Sequence, residues 1–356
     1  MAVEWCRHGR ALYRGHRDTS DGILRRMIQT DYNHFRYAGG SGGHYESYFQ
    51  RANHPSRKLA FWIRYTVFSP RGRPEDAVGE LWAIYFDGER GRIIPVKQVF
   101  PYARCAFVRT RLDARIDDAS LDGAALQGKA EALGHAVSWD LRYASPEAPV
   151  FLLPDALYDA PLPKAKALVG SPMAVYEGEL VVDGERVAVD GWVGSQNHNW
   201  GAKHTDEYAW GQVAGFDDAP DTFLEVTTAR VHVGPWKTPW LSPMVLRHAG
   251  RELRWNALGT TLRTRAHYGF FRWTFDARAA CGRLHGVVEA DAADFVGLPY
   301  DNPPGGRKTC LNCKVARCTL TLERPGEPDV QLHTAHRAAF EILTDRSDHG
   351  VSVLAV

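Results

Sequence analysis

The residues best able to do chemistry crowd into one stretch, DGWVGSQNHNWGAKHTDEYAWGQ, from Asp190 to Gln212. It holds Gln196, Asn197, His198, Asn199, Trp200, His204, Tyr208, Trp210 and Gln212. If Asn197–Trp200 is extended, side chains alternate, so His198 and Trp200 share one face while Asn197 and Asn199 take the other. A histidine beside an indole sets a titratable group against a π-face. Such a pair moves a proton or steadies a cation, because the ring quadrupole attracts positive charge. Trp210 adds a second indole, and Asn197, Tyr208 and Gln212 add hydrogen-bonding groups that can hold a substrate in shape. The same residue types at strand ends also serve turn hydrogen bonds alone.

Two further candidates lie upstream. In HYESYFQRAN (His44 to Asn53), Glu46 and Tyr48 alternate along an extended segment and either face a cavity or form one buried polar pair. In LAFWIRYTVF, apolar on nearly both faces, Arg64 stands alone, and a buried guanidinium needs a partner.

The elements that must position these residues read as strands. HAVSWDLRY (His135 to Tyr143) alternates, with Val137, Trp139, Leu141 and Tyr143 on one face. Asp183-Gly184 sits between two apolar runs, the favoured composition of a tight type I′ hairpin turn, and Gly250 marks a second hairpin. YAWGQVAGF sets Tyr208, Trp210 and Gln212 opposite Ala209, Gly211 and Val213, which suits a curved barrel wall. Helical signals are few. A short helix is expected after Ser20 or Asp21, residues 113–131 read as a loop or short helix, and the proline-rich stretch Pro146 to Pro172 reads as a connector. The expected division is 1–160 and 161–356, two antiparallel β units.

QNHNWG followed by YAWGQ resembles the signature region of the lipocalin-like superfamily of tocopherol cyclases, carotenoid 1,2-hydratases and AttH-type proteins. HYESYFQRAN, GELWAIYFD, PYDNPPGGRKTCLNCKVA and HRAAFEIL are similar to other segments of that superfamily, so the resemblance runs from about residue 40 to about residue 345. It implies an all-β fold of two consecutive lipocalin-like antiparallel β-barrel halves with a ligand cavity in or between them. It implies action on an isoprenoid or polyketide-like molecule, by acid-assisted hydration or cyclisation of a C=C bond. His198-Asn199-Trp200 match the His-x-Trp motif of the hydratase members. On the following strand, TFLEVTTARV, Phe223 and Glu225 stand where the family offers an aromatic and an acid. The acid here is Glu rather than Asp, and the aromatic lacks a hydroxyl.

The chemistry is coherent on physical grounds. Protonating an alkene needs a strong acid kept dry, and a carboxyl in an apolar pocket stays protonated because desolvation disfavours its charge. Glu225, His198 and Trp200 are the expected catalytic set, with Asn197, Tyr208, Trp210, Gln212, Phe223, Glu46 and Arg64 binding the ligand. Alternatively, Glu225 pairs with Arg64 or Arg230 and has no chemical part. The same cavity would also serve a non-catalytic lipid or pigment carrier, or a pericyclase of Diels-Alderase type that only folds its substrate.

Composition removes other classes. Basic and acidic residues number 43 and 42, which gives no general electrostatic reason to bind nucleic acid or an anionic membrane. The opening MAVEWCRHGR lacks the apolar core of a secretory signal, and no run reaches the length of a membrane span, so a cytoplasmic protein is expected. Cys310 and Cys313, with Cys318 nearby, form half of a zinc-ribbon pattern whose second pair is missing. No metal or other cofactor is expected, and these thiols are expected in a surface loop.

Overall fold

The computed structural model describes residues 32–233 and 235–354. Cys6 and most of the helix expected after Ser20 lie outside them. Strand makes up 61% of the structure and helix 6%.

The first four strands are β1 (His44–Asn53), β2 (Leu59–Ser69), β3 (Val78–Asp87) and β4 (Arg92–Pro101). Short strands follow: β5 (Cys105–Phe107), β6 (Asp113–Ile116), β7 (Ala119–Asp122), β8 (Ala125–Ala132), β9 (His135–Ala144) and β10 (Val150–Phe151). A long hairpin, β11 (Ala165–Val182) and β12 (Glu185–Gly201), completes the first sheet. Its order is β4-β3-β2-β1-β12-β11-β9-β8-β7-β6-β5, with β10 beside β11. The sheet is antiparallel and curls until β4 packs on β8, a nearly closed barrel.

The second sheet begins with β13 (Glu207–Ala214) and β14 (Phe223–Arg230). A two-stranded excursion, β15 (His232–Val233) and β16 (Trp236–Lys237), precedes β17 (Met244–His248) and β18 (Arg251–Arg254). Then come β19 (Arg265–Gly269), β20 (Arg272–Ala279), β21 (Gly282–Glu289) and β22 (Val296–Asp301). Two long strands, β23 (Arg307–Glu323) and β24 (Val330–Thr344), close it. The order is β18-β17-β14-β13-β24-β23-β21-β20-β19, with β22 beside β23.

Strand β2 shows why its sequence is apolar on both faces. Phe61, Ile63, Tyr65 and Val67 point into the barrel core, where Trp139, Leu141 and Tyr143 of alternating β9 meet them. Ala60 and Trp62 face the other way and join Phe49, Trp82 and Phe86 in a second core shared with Val213, Val226 and Phe340 of the other sheet. The described residues therefore form two large sheets, one of them sandwiched between two cores, beside the small β15–β16 pair. The hairpin turn at Asp183-Gly184 has φ of 50° and 86°, the two positive values that a type I′ turn requires.

Three expectations change. Residues 113–131 are strands β6 to β8: Ala114, Ile116, Leu121, Leu126 and Ala130 are inward, and polar residues between them face solvent. Small alanines at inward positions hid the alternation. The division into 1–160 and 161–356 does not follow the sheets, because β11 and β12 pair with β9 and β1. The chain passes to the second sheet between Gly201 and Glu207. The Cys310–Cys318 segment is no surface loop; it lies inside β23, where all three thiols are buried and free. Among the described residues no helix is long and apolar enough to cross a membrane, and no cluster of three metal-ligating side chains occurs.

Candidate active site

Antiparallel pairing carries side chains of one face into register across many strands. On the outer face of the first sheet, Asn197 of β12 lies opposite Phe49 of β1, Phe49 opposite Arg64 of β2, and Arg64 opposite Trp82 of β3. The next row is Ser195, Arg51 and Trp62. The second sheet faces them with Gln212 opposite Glu225, and with Trp210 between Thr227 and Glu341. These two surfaces enclose a cavity of about 250 Å³. Phe49, Trp62, Tyr208, Trp210, Tyr300 and Leu152 form much of its wall, and Asn197, Arg64, Glu225 and Glu341 supply its polar groups. A larger depression of about 860 Å³ beside Arg265 and Arg283 lies open at the surface, and Arg283 there is already paired with Asp276 and Glu323.

Gln212 ties the two sheets together. Its Oε1 accepts from Arg51 Nε (2.8 Å) and Ser195 Oγ (2.6 Å), and its Nε2 donates to Asn197 Oδ1 and Glu225 Oε2, each at 2.8 Å. Four bonds exhaust the amide, so its orientation is fixed. Trp210 Nε1 donates to the other carboxyl oxygen of Glu225 at 2.7 Å.

Glu225 is 4% exposed and touches no cation directly. Burial pushes its carboxyl up to about 7, against the hydrogen bonds from Trp210 and Gln212 and the more distant charge of Arg51. Neither expected ion-pair partner is taken: Arg230 binds Glu207 at 2.7 Å, and Arg64 donates to Ser47 Oγ at 2.6 Å. Near neutral pH, then, this wall of the cavity presents a carboxyl shared between its protonated and ionised forms.

A second polar group stands behind Glu341 on the cavity wall. Lys314 is fully buried and binds Glu341 at 2.7 Å and Asn312 at 2.6 Å, while Asn312 donates to Glu341 at 2.9 Å. The Lys314 ammonium also lies 5.7 Å from the Trp62 ring centre and 5.6 Å from that of Trp210. His204 stacks on Tyr45 at 3.8 Å. Burial, reinforced by the Arg64 charge, lowers its imidazole to about 3 and keeps it neutral.

The expected site residues fall into two groups. Asn197, Tyr208, Trp210, Arg64 and Glu225 line the cavity, and Gln212 lies directly behind Glu225. His198 borders the cavity, but its imidazole turns to the barrel side of β12 with Trp200, 4.8 Å away ring to ring. The alternation read from the sequence is thus present, and it separates this pair from Glu225. His198 Nε2 meets Glu46 Oε1 at 2.9 Å, and Nδ1 meets Arg36 Nη1 at 3.3 Å. Arginine is a donor only, so Nδ1 accepts and Nε2 carries the proton. Burial holds His198 neutral well below its ordinary range. Glu46 also accepts from His44 and from the backbone N–H groups of Arg36 and Tyr37. Although burial opposes its charge, the bonds from His198 and His44 hold its carboxyl down to about 2. It is an acceptor, with no proton to give. Trp200 packs with Phe151 and Leu168 under the Arg36 guanidinium, 3.7 Å from the ring centre. Phe223 shares the strand face of Glu225 but lies beyond the cavity, packed on Val150, Leu152 and Val245.

Sequence reasoning passed over Arg51, Lys314, Glu341, Trp62 and Tyr300. A usable signal existed for three of them: each is a lone charge in a run otherwise apolar or amide-rich, within SYFQRAN, TCLNCKVA or AAFEIL. Such charges inside strands are buried and must converge on one another.

No known family model matches the chain. Uncharacterised proteins from two strains of Mycobacterium tuberculosis, H37Rv and CDC 1551, are each 26% identical to it over 288 residues, spanning 80% of this chain and 82% of theirs. Solved structures similar in shape include an AttH-like protein of Nitrosomonas europaea, with a TM-score of 0.52 at 12% identity, covering 88% of this chain and 97% of that one. Kievitone hydratase of Nectria haematococca gives 0.53 at 14%, covering 85% and 89%. CghA with Sch210972 gives 0.52 at 11%, covering 88% and 95%. The chain accordingly has the lipocalin-like barrel fold of these three proteins, as its motifs imply.

Proposed function

We propose that the protein is an enzyme that takes a small, largely apolar molecule between its two sheets and transfers a proton to it, hydrating or cyclising a C=C bond. The observation that carries this reading is Glu225, a carboxyl buried in the cavity wall without a contacting cation and pushed up to about 7. A group of that acidity is poised to give a proton at neutral pH and take it back. Once the proton leaves, the carboxylate keeps its N–H donors, Trp210 and Gln212, and faces the Arg51 charge across the Gln212 amide. The conjugate base is stabilised without any movement of the site. Aromatic walls exclude competing water and hold an apolar body. That similar folds include a hydratase supports a reaction of this kind. The five described cysteines are free, in keeping with action in a reducing cytoplasm.

A carrier would use the same walls but have no need of the acid. The two are separated by finding the copurified ligand through native mass spectrometry and testing related alkenes in heavy water. Deuterium should enter the product at carbon. Glu225→Gln should lower turnover by about 10²–10⁴ while ligand affinity stays within a few-fold, because shape is kept and what is lost is the proton and one of the two hydrogen bonds accepted from Trp210 and Gln212. Full turnover in that variant would remove Glu225 from the reaction.

A further inference from the structure

Resting on the reading of the cavity as a substrate site, we propose that Arg64 is a subsite for an anionic oxygen. The substrate is then an apolar body carrying one acidic head, such as a carboxylate, enolate or phenolate.

Arg64 is 4% exposed in the middle of β2 and lines the cavity. A guanidinium has five N–H donors, and burial makes each unmet donor costly. Here Nη2 donates to Ser47 Oγ at 2.6 Å, and the buried Nε has no acceptor. Its flat face lies 4.8 Å from the Tyr300 ring centre, which orients the fork and neutralises nothing. The two carboxylates that act on it are committed elsewhere. Glu80 binds Lys97 at 2.9 Å and accepts from Trp82 Nε1 at 3.0 Å, and Glu341 binds Lys314 and Asn312.

Not every buried cation meets a carboxylate. Lys314 is matched by Glu341 and Lys97 by Glu80, and Arg51 reaches Glu225 through one amide. Two buried arginines, Arg64 and Arg337, are then left without a contacting carboxylate, and of these Arg64 lines the cavity while Arg337 does not. An unpaired cation on the wall of a low-dielectric cavity attracts an anion and repels a free carbocation. A substrate that brings its own negative head removes that conflict, and its charge also favours the protonated form of Glu225.

Position fits as well. Phe49 lies opposite Arg64 on one side and opposite Asn197 on the other, and Asn197 joins Gln212 beside Glu225. Cation and acid therefore stand at two sides of an aromatic strip formed by Trp62, Phe49 and Trp210. With its head at Arg64, a substrate lays its apolar part along the strip toward Glu225.

The test uses the whole protein and a series of saturated fatty acids, hexanoic to tetradecanoic, each matched with its primary alcohol. Binding is read by tryptophan fluorescence and calorimetry. Wild type should favour the best acid over its alcohol by about tenfold or more, the worth of a charge-assisted hydrogen bond. Arg64→Met should abolish that preference and leave alcohol affinity within about threefold. Since no carboxylate loses a partner, this variant should fold. Arg64→Lys should keep part of the preference, because charge survives and the fork does not. Glu225→Gln should keep all of it. Equal binding of acid and alcohol by wild type, or a preference unchanged in Arg64→Met, overturns the subsite and leaves the cavity reading standing. If no acid or alcohol binds, both fall.

Discussion

Trp200 and Trp210 are equal candidates by residue type, yet the fold gives them different work. Trp210 lines the cavity and donates its N–H to Glu225, whereas Trp200 packs on the barrel side beneath Arg36. Trp200→Ala should therefore cost about 3–5 kcal/mol of stability through the void it leaves, with ligand affinity unchanged. Trp210→Ala should weaken ligand binding by tenfold or more and push the Glu225 carboxyl still higher, since one of its two hydrogen bonds is gone. Urea denaturation beside ligand titration distinguishes the two outcomes. An affinity loss in Trp200→Ala would mean that the site lies inside the barrel. His198 belongs with Trp200. Its motif is legible in the sequence, but in the fold its imidazole bonds Glu46 and Arg36, and a one-residue step along an extended strand is enough to turn it from Glu225.

At the scale of elements, register decides what strands can build. Asn312 on β23 lies opposite Glu341 on β24, and Lys314, two residues along β23, reaches the same carboxylate. Glu341→Gln leaves the Lys314 ammonium buried without a counter-charge and should destabilise the protein by about 3–5 kcal/mol. The double change Lys314→Met with Glu341→Leu should recover most of that loss, which equilibrium denaturation would show. An additive double mutant would mean that the pair is not coupled. The strands themselves are largely readable. The alternation of β9, the two-faced apolarity of β2 and the Asp183-Gly184 turn all announce their structures. The site is less readable, because strands far apart in sequence supply it: Arg51 from β1, Glu225 from β14 and Glu341 from β24. No local pattern states that they meet. Arg64 is the exception. It stands out as a misfit in an apolar strand, and the fold leaves it in need of a partner, although not the carboxylate partner that a strand-face ion pair would provide.

For the whole molecule, the consequence of closing two sheets over polar groups is that their protonation is linked to folding. Glu46 is held below its ordinary value, so its contribution is present above about 4.5 and is lost as pH falls toward about 2. His198, neutral when folded, adds to that acid loss once pH drops below 6.5. Glu225 runs the other way. The folded protein binds its proton more tightly than the unfolded chain, so stability declines as pH rises from about 4.5 to about 7 and is then level. Between about 4.5 and 6.5 the His198 and Glu225 contributions change in opposite directions and offset each other, and below about 4.5 the losses at Glu46 and His198 act alone.

The protonation of Glu225 is also where the account is most directly exposed. Infrared difference spectra of wild type against Glu225→Gln, recorded across pH, isolate the C=O stretch of this one protonated carboxyl. The account predicts a band that persists to neutral pH and is half lost at about pH 7, sharpened by its apolar surroundings. A band that disappears with a midpoint near 4.5, the value of an ordinary glutamate, would mean that Glu225 is ionised in the working protein and has no proton to give.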